Sequence, residues 1–175
     1  PTNLQITGSL SISCWVKTHH PGSTDRLFSQ THEDGSGSDL IYIQILFNSS
    51  DQLVIADRWA SLGDEKITTT ARFRDPSAWY HIVFVRDSDN ATQADRAIIY
   101  VNGERQAVTG SYTQSKVTSW NRQSVKSYAE MNIGRLFYNT AYYNDTAFQM
   151  AEVHNIDGAV KDPTDFAESK NGIWI

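Results

Sequence analysis

The sequence predicts an all-β fold in which antiparallel strands stack as a two-sheet sandwich. Apolar and polar residues alternate along most of the chain, which is the period of a half-buried strand. Clusters of Gly, Asn, Asp and Ser separate these runs at short intervals. Only the segment 162–166, Asp-Pro-Thr-Asp-Phe, has the Pro and acidic residues that begin a helix. We therefore expect one short helical turn near the end of the chain.

The alternation places the first strand at 10–16, where Leu10, Cys14 and Val16 share one face. The remaining strands are expected, in chain order, at 26–30, 39–47, 52–56, 66–73, 79–86, 97–101, 105–108, 129–136 and 149–156. The dipeptide Asn102-Gly103 is typical of a type I′ hairpin turn, because both residues accept a positive φ. The aromatic residues expected in the core are Trp15, Phe47, Trp79 and Phe84. The polar segment 109–127 is expected to be a long loop or a set of weak strands.

Length and composition limit the classes of protein that this chain fits. A chain of 175 residues suffices for one domain with a full core. The net charge is −5 and the 15 basic residues are scattered, so we expect no nucleic-acid partner. The sequence lacks an apolar run as long as a membrane span, so we expect no membrane insertion. Because the chain starts without Met and stops on an apolar aromatic segment, we expect it to be a piece of a longer polypeptide.

Four short motifs in a fixed order carry a family resemblance. They are Trp-Tyr-His-Ile-Val-Phe-Val at 79–85, Ile-Tyr-Val-Asn-Gly-Glu at 99–104, Asn-Ile-Gly-Arg at 132–135 and Ala-Glu-Val at 151–153. In this order they resemble the laminin-G-like group of the concanavalin A-like jelly rolls, over roughly residues 10–175. The C-terminal motifs at 152–158, 162–166 and 171–174 more closely resemble versions found in bacteriophage virion proteins. The family usually has an aromatic-Asp-Gly turn before the Ala-Glu-Val strand, where this chain has Ala147-Phe148.

The resemblance implies a binding or structural module more readily than an enzyme, although fold alone does not decide. Members of the family bind glycans, proteins or calcium, or decorate a virion. We therefore expect a phage virion domain in a tail, fibre or capsid-associated protein, extracellular when it acts. Its expected partner is a cell-surface carbohydrate or a neighbouring virion protein, and it is expected to act as a homo-oligomer, since several copies turn weak sugar contacts into avidity.

Loops that combine aromatic rings with Asn, Asp or Arg are the expected glycan contacts. A sugar offers an apolar ring face to an aromatic side chain, and its hydroxyls bond to polar groups. The residues predicted to contact the ligand are Arg58, Trp59, Trp120, Asn121, Tyr142 and Asn144. One alternative is that these loops contact a neighbouring subunit, and another is that Trp59 and Trp120 pack back on the sheet.

The loop 32–39 is the first candidate for a metal, because Asp34 and Asp39 offer hard oxygen ligands that suit calcium. The alternative is that Asp, Asn and Gly simply form turns there. A glycosidase needs two carboxylates that face the same sugar. The best candidate pair in this chain is Glu152 and Asp157, and their spacing of five predicts opposite strand faces. We therefore expect no catalytic residues. A purely structural module and a glycan-cleaving enzyme, or its accessory carbohydrate-binding module, stay open as alternatives.

Overall fold

The structure, a computed structural model, describes residues 9–18, 20–33, 41–59, 63–87, 89–112, 128–138, 141–143 and 148–175. The strands are β1 (Ser9–Thr18), β2 (Asp25–Glu33), β3 (Ile41–Phe47), β4 (Leu53–Trp59), β5 (Gly63–Thr69), β6 (Tyr80–Asp87), β7 (Ala97–Val101), β8 (Glu104–Arg105), β9 (Val108–Ser111), β10 (Tyr128–Ile133), β11 (Leu136–Tyr138), β12 (Ala141–Tyr143), β13 (Phe148–Asp157), β14 (Ser169–Lys170) and β15 (Ile173–Trp174). Two 3₁₀ turns, Gln93–Asp95 and Pro163–Asp165, are the helical segments of the described ranges. The all-β prediction is confirmed.

Two antiparallel sheets form the body of the domain. Sheet 1 has the strand order β13-β1-β6-β7-β8, and sheet 2 has the order β10-β2-β3-β4-β5-β9. Two small hairpins, β11–β12 and β14–β15, form hydrogen-bonded pairs of their own and pack against the sheets. The neighbours within each sheet run antiparallel, so the predicted two-sheet sandwich is confirmed. None of the helical turns in the described ranges is long and apolar enough to cross a membrane.

The core lies between the two sheets and is built from alternate residues of the long strands. Leu10, Ile12, Phe84 and Ile99 of sheet 1 are almost fully buried, and sheet 2 contributes a matching set that includes Ile55. Each such side chain stabilises the fold by about 1.5–3 kcal/mol relative to an exposed position.

Cys14 belongs to this core layer, as expected for a small hydrophobic side chain in the first strand. Burial raises the pKa of its thiol to about 12. Because the thiolate is the nucleophilic form, the side chain is inert at neutral pH.

Three predicted strands have different limits, each for a local reason. The strand expected at 66–73 ends at Thr69, whose hydroxyl donates to the Ala71 carbonyl. The strand expected at 105–108 is two strands, because the chain leaves β8 in sheet 1 and enters β9 in sheet 2. The strand expected at 129–136 is interrupted at Gly134, which has φ +79° and separates β10 from β11.

The predicted aromatic core is partly wrong. Phe47 and Phe84 are buried, but the side chain of Trp79 is 41% exposed. Trp79 stands just before β6, at the end of the sheet and outside the interior. Trp15 is half-buried, and its ring contacts that of His81 with 4.9 Å between centroids.

The C-terminal segment packs on the outer face of sheet 1. Ser11 of β1 donates its hydroxyl to the Ala159 carbonyl at 3.0 Å and accepts from the Lys161 amide at 2.9 Å. The predicted helix start is confirmed as a capped 3₁₀ turn: Asp162 accepts from the Thr164 amide, and Asp165 accepts from the Asp162 amide. This segment closes one side of sheet 1. On the outer face of sheet 2, the positions on β2 and β3 are also covered, since Ser29, Thr31 and Gln44 are 0%, 0% and 8% exposed.

Candidate functional site

A row of cross-strand neighbours spans the outer face of sheet 2. In order across the sheet, its members are Asn132, Ser29, Gln44, Ala56, Lys66 and Ser111. Their neighbours along the strands, such as Ile45, Ile55 and Ile67, are core residues, so alternation puts the row on the opposite face. The six strands make the row about 24 Å long at about 4.8 Å per strand. The Ala56 side chain is only a methyl group, so it projects little from the sheet in the middle of the row.

Three basic side chains lie along this row. Arg26 donates from Nε to Oε1 of Gln44 at 3.1 Å, and Arg135 donates from Nε to Oδ1 of Asn132 at 3.2 Å. Lys66 is exposed on the far side, on β5. The row therefore combines amide and hydroxyl groups with three positive charges, in a chain whose net charge is −5.

The turn between β10 and β11 carries Arg135 over the sheet. The Ser29 hydroxyl donates to the Arg135 carbonyl at 2.7 Å, and the amide of Gly134 donates to the Leu27 carbonyl at 3.2 Å. The guanidinium carbon of Arg135 lies 3.8 Å from the centroid of the Tyr142 ring, which is a cation–π contact. Tyr142 is 48% exposed, so the hairpin β11–β12 presents an aromatic face at the rim of the row.

Of the residues predicted to contact a glycan, some lie near the row and others lie outside the residues that the structure describes. Tyr142 lies at the rim, as just described. Arg58 and Trp59 end β4, where Arg58 is paired with Tyr42 and Asp64 and adjoins the row; their side chains lie outside what the structure describes. The predicted residues that lie outside the described ranges are Trp120, Asn121, Asn144, Asp34 and Asp39.

Sequence reasoning missed Arg26, Gln44, Lys66 and Arg135. Each is the polar member of an alternating strand or follows a strand directly, so the alternation marks them as outward-facing. Strand register, which aligns them in one row, is not readable from the alternation.

A second polar cluster lies inside the sandwich, one residue before Arg58. Nη1 of Arg86 is 3.1 Å from Oδ2 of Asp57, and Glu65 is the cross-strand neighbour of Asp57. Burial raises the pKa of Asp57 to about 6, although the Arg86 guanidinium and the Tyr112 hydroxyl lower it. Because the carboxylates of Asp57 and Glu65 are enclosed between the sheets, a sugar on the surface does not reach them.

The carboxylate pair considered from the sequence does not form a catalytic pair either. Glu152 has φ +49° at a bulge opposite β1, so strict alternation of faces between Glu152 and Asp157 does not hold. Five residues of strand separate them by about 16 Å, whereas the two carboxyl groups of a glycosidase lie about 5–9.5 Å apart. In the described part of the chain, no three His, Cys, Asp or Glu residues group to hold a metal ion.

The sandwich and its polar sheet face define the class of this protein. The model of the concanavalin A-like lectin/glucanases superfamily matches residues 1–160, so the chain belongs to that superfamily. The resemblance to concanavalin A-like jelly rolls is thereby confirmed. A comparison with curated protein sequences finds no match.

Solved structures with a similar fold include a carbohydrate-binding module and a pentraxin. The carbohydrate-binding module CBM40 of the Ruminococcus gnavus IT-sialidase, bound to α2,6-sialyllactose, has a TM-score of 0.62 and 12% identity, covering 92% of this chain and 82% of that one. The same module bound to α2,3-sialyllactose has a TM-score of 0.59 and 10% identity, with the same coverage. The native heptameric SAP-like pentraxin from Limulus polyphemus has a TM-score of 0.57 and 13% identity, covering 90% and 67%. At these identities the likeness is one of fold.

Proposed function

We propose that this chain is a non-catalytic glycan-binding module and that the row on the outer face of sheet 2 holds the glycan. The observation that carries the proposal is the set of solvent-accessible groups on this face, which are Lys66 and Ser111 at one end of the row and Arg135 against the Tyr142 ring at the other. Ser29, Gln44 and Asn132 are 0%, 8% and 7% exposed, so they support these surface groups from beneath. The CBM40 structures support the ligand class, since that module, with a similar fold, was determined with sialyllactose.

The charges on the row favour an acidic glycan. Arg135 presents a guanidinium group, which matches a carboxylate with two parallel hydrogen bonds, and Lys66 adds a second exposed cation. Nη1 of Arg26 is buried and its Nε donates to Gln44, so Arg26 contributes charge to this face. The predicted contacts Arg58 and Trp59 adjoin the row and belong to the same proposal. Calcium at Asp34 and Asp39 stays a prediction, which chelation with EDTA in the binding assay tests.

The biological setting that we propose is host recognition by a bacteriophage virion. Its support is the resemblance of the motifs at 152–158, 162–166 and 171–174 to versions in virion proteins. In this setting, several copies bind host-surface glycans at once, which raises weak contacts to useful avidity. Adsorption of the parent phage, competed with the isolated chain, is the test of this part.

Binding of α2,3- and α2,6-sialyllactose, compared with uncharged lactose, tests the ligand class. We expect calorimetry or NMR titration to show binding of the sialylated sugars, and Arg135→Gln, which removes the guanidinium that pairs with their single carboxylate, to weaken it about tenfold. Lys170→Gln is the matched control, since it removes one exposed charge from β14 and leaves sheet 2 unchanged. Equal binding of lactose and sialyllactose, or full binding by Arg135→Gln, would refute the acidic-glycan assignment.

A second candidate function, contact with a neighbouring subunit, is favoured by an apolar edge of the sandwich. Met131, Ile133 and Val153 are 41%, 52% and 39% exposed on the edge strands β10 and β13. Asn155 bridges the two sheets there, with its Nδ2 3.7 Å from Sδ of Met131. Sedimentation tests this candidate: assembly that Ile133→Glu abolishes supports it, and a monomer at every concentration rejects it.

A further inference from the structure

A groove of about 620 Å³ lies at the end of sheet 1 where β6 begins. It is lined by residues from three places: Trp15 of β1, Trp79 and Tyr80 at the start of β6, and Trp174 of the C-terminal hairpin. The β7–β8 hairpin contributes polar groups beside them. The volume is typical of sites that take small molecules.

Three rings at this groove, those of Trp15, His81 and Trp174, are held in place by contacts with one another. Trp174 donates from Nε1 to Nδ1 of His81 at 2.9 Å. Because an indole N–H only donates, Nε2 of His81 carries the ring proton and donates to the Ser13 hydroxyl at 2.8 Å. The His81 ring lies between Trp15 and Trp174, with centroid distances of 4.9 and 5.8 Å and tilts of 32° and 31°.

The polar lining is formed by Asn102, Glu104 and Gln106, and none of the described lining residues is basic. Burial lowers the pKa of His81 to about 4, so its ring adds no positive charge at neutral pH. Asn102 uses Oδ1 to accept from the His81 amide at 2.9 Å, so its Nδ2 group is the donor that it offers. A groove with one exposed carboxylate and no cation disfavours anionic ligands.

With anions disfavoured, two ligand classes remain, a quaternary ammonium ion and an uncharged saccharide. The arrangement of the rings distinguishes between them. A quaternary ammonium needs aromatic faces that converge on one point within about 6 Å of each ring. Here Trp15, His81 and Trp174 follow one another as a stack, and Trp79 stands 41% exposed beside it. A stack with an exposed indole beside it forms a platform, which suits the flat apolar face of a sugar ring.

We propose that this groove is a second carbohydrate site and that it takes an uncharged saccharide. The pyranose ring packs on the exposed indole of Trp79, and its hydroxyls donate to the Glu104 carboxylate and exchange hydrogen bonds with the amides of Asn102 and Gln106. The groove is built from sheet 1 and its hairpins, whereas the acidic-glycan row belongs to sheet 2. Either site can therefore fail in an experiment without the other.

NMR titration of the five tryptophan indole N–H groups tests this site directly. The probes are cellotetraose, maltotetraose, mannotetraose and chitotetraose, each raised to millimolar concentration. We expect saturable shifts of the Trp79 and Trp174 signals with at least one of them. Trp79→Ala should weaken that binding about tenfold, since it removes the stacking surface.

Two further variants keep the outcome interpretable. Glu104→Gln changes no packing, since the side chain is exposed, and should weaken binding severalfold. Tyr143→Ala is the matched control, because it removes a 43% exposed ring from the β11–β12 hairpin and should leave binding unchanged. Absence of saturable shifts with every probe, shifts that persist in Trp79→Ala, or binding of tetramethylammonium in preference to all four sugars would overturn the proposal.

Discussion

Arg86 of sheet 1 and Asp57 of sheet 2 form an ion pair across the interior of the sandwich, with 3.1 Å between Nη1 and Oδ2. Their side chains are 3% and 1% exposed, so both charges have left water. Tyr112 and Glu65 complete the cluster at the end of the sandwich where β4 leads into Arg58. The pair thus joins the two sheets directly below a predicted glycan contact.

Removing the Arg86 guanidinium alone should lower the free energy of unfolding substantially. Arg86→Met leaves the Asp57 carboxylate buried without its counter-charge, and loss of one partner of such a pair costs about 3–5 kcal/mol. The double variant Arg86→Met with Asp57→Asn removes both charges and should recover most of that loss. Urea unfolding at pH 7 measures both variants. Equal losses in the single and the double variant would show that the pair contributes through packing alone.

The pH dependence of Arg86→Met follows from the same pair. The Arg86 guanidinium lowers the pKa of Asp57, so its removal raises that pKa above its value in the wild type. The folded variant then binds a proton that the unfolded chain releases, and its stability increases as pH falls. The stability deficit of the variant should therefore shrink between pH 7 and pH 4. A deficit that stays constant over that range would contradict this account.

The positions of most strands and the core were readable from the sequence, because inward-facing positions such as Leu10, Ile12 and Phe84 repeat with the period of a strand. The errors came from tertiary context. Trp79 fits the apolar run before β6, but its position at the sheet end exposes it. The prediction that Glu152 and Asp157 face opposite sides of the strand assumed regular alternation, and the bulge at Glu152 interrupts that alternation.

His81 should make stability depend on pH in the acid range. Burial, with a smaller contribution from His154, lowers its pKa to about 4 from an ordinary 6.5. The unfolded chain therefore binds a proton that the folded state excludes, and stability is lost as pH falls from about 6.5 towards 4. The loss is at most about 3.5 kcal/mol, at about 1.4 kcal/mol per pKa unit.

His81→Gln is the comparison for this effect, since Gln does not titrate. The stability difference between wild type and variant should narrow as pH falls from 7 to 4, by denaturant unfolding at several pH values. If the difference is the same at both ends of the range, His81 is not neutral in the folded state at pH 5.

Gly103 should tolerate no side chain, because the Trp174 ring packs against it. A Cβ at Gly103 would lie 2.6 Å from the nearest ring atom of Trp174, and Gly103 also has φ +80°. Gly172 has nearly the same φ, +78°, but open space around it, so Gly172→Ala isolates the backbone strain of about 1–2 kcal/mol. Gly103→Ala should cost about 1–3 kcal/mol more and shift the Trp174 indole signal. Equal effects of the two variants would mean that Trp174 moves aside freely.

The candidate site was only partly predictable, for a reason of geometry. Tyr142 was found from its polar, aromatic loop, which is a local signal. Arg26, Gln44 and Lys66 lie on three strands far apart in the chain, and only the register of β2 to β5 brings them to one face. Local composition is enough to predict a binding loop. A binding surface on a sheet depends on how distant segments pair, which the sequence pattern does not specify.

Tyr142 should matter for binding through its ring and not through its hydroxyl. The ring holds the Arg135 guanidinium 3.8 Å from its centroid, a contact of about 0.5–1 kcal/mol at an exposed site. Tyr142→Phe should therefore keep wild-type stability and sialyllactose binding, whereas Tyr142→Ala should lose about that much stability and bind severalfold more weakly. Tyr143→Ala, one residue along the same hairpin, is the control and should leave binding unaffected. Unfolding in urea and calorimetric titration measure the series, and wild-type binding by Tyr142→Ala would show that the ring does not orient Arg135 for the ligand.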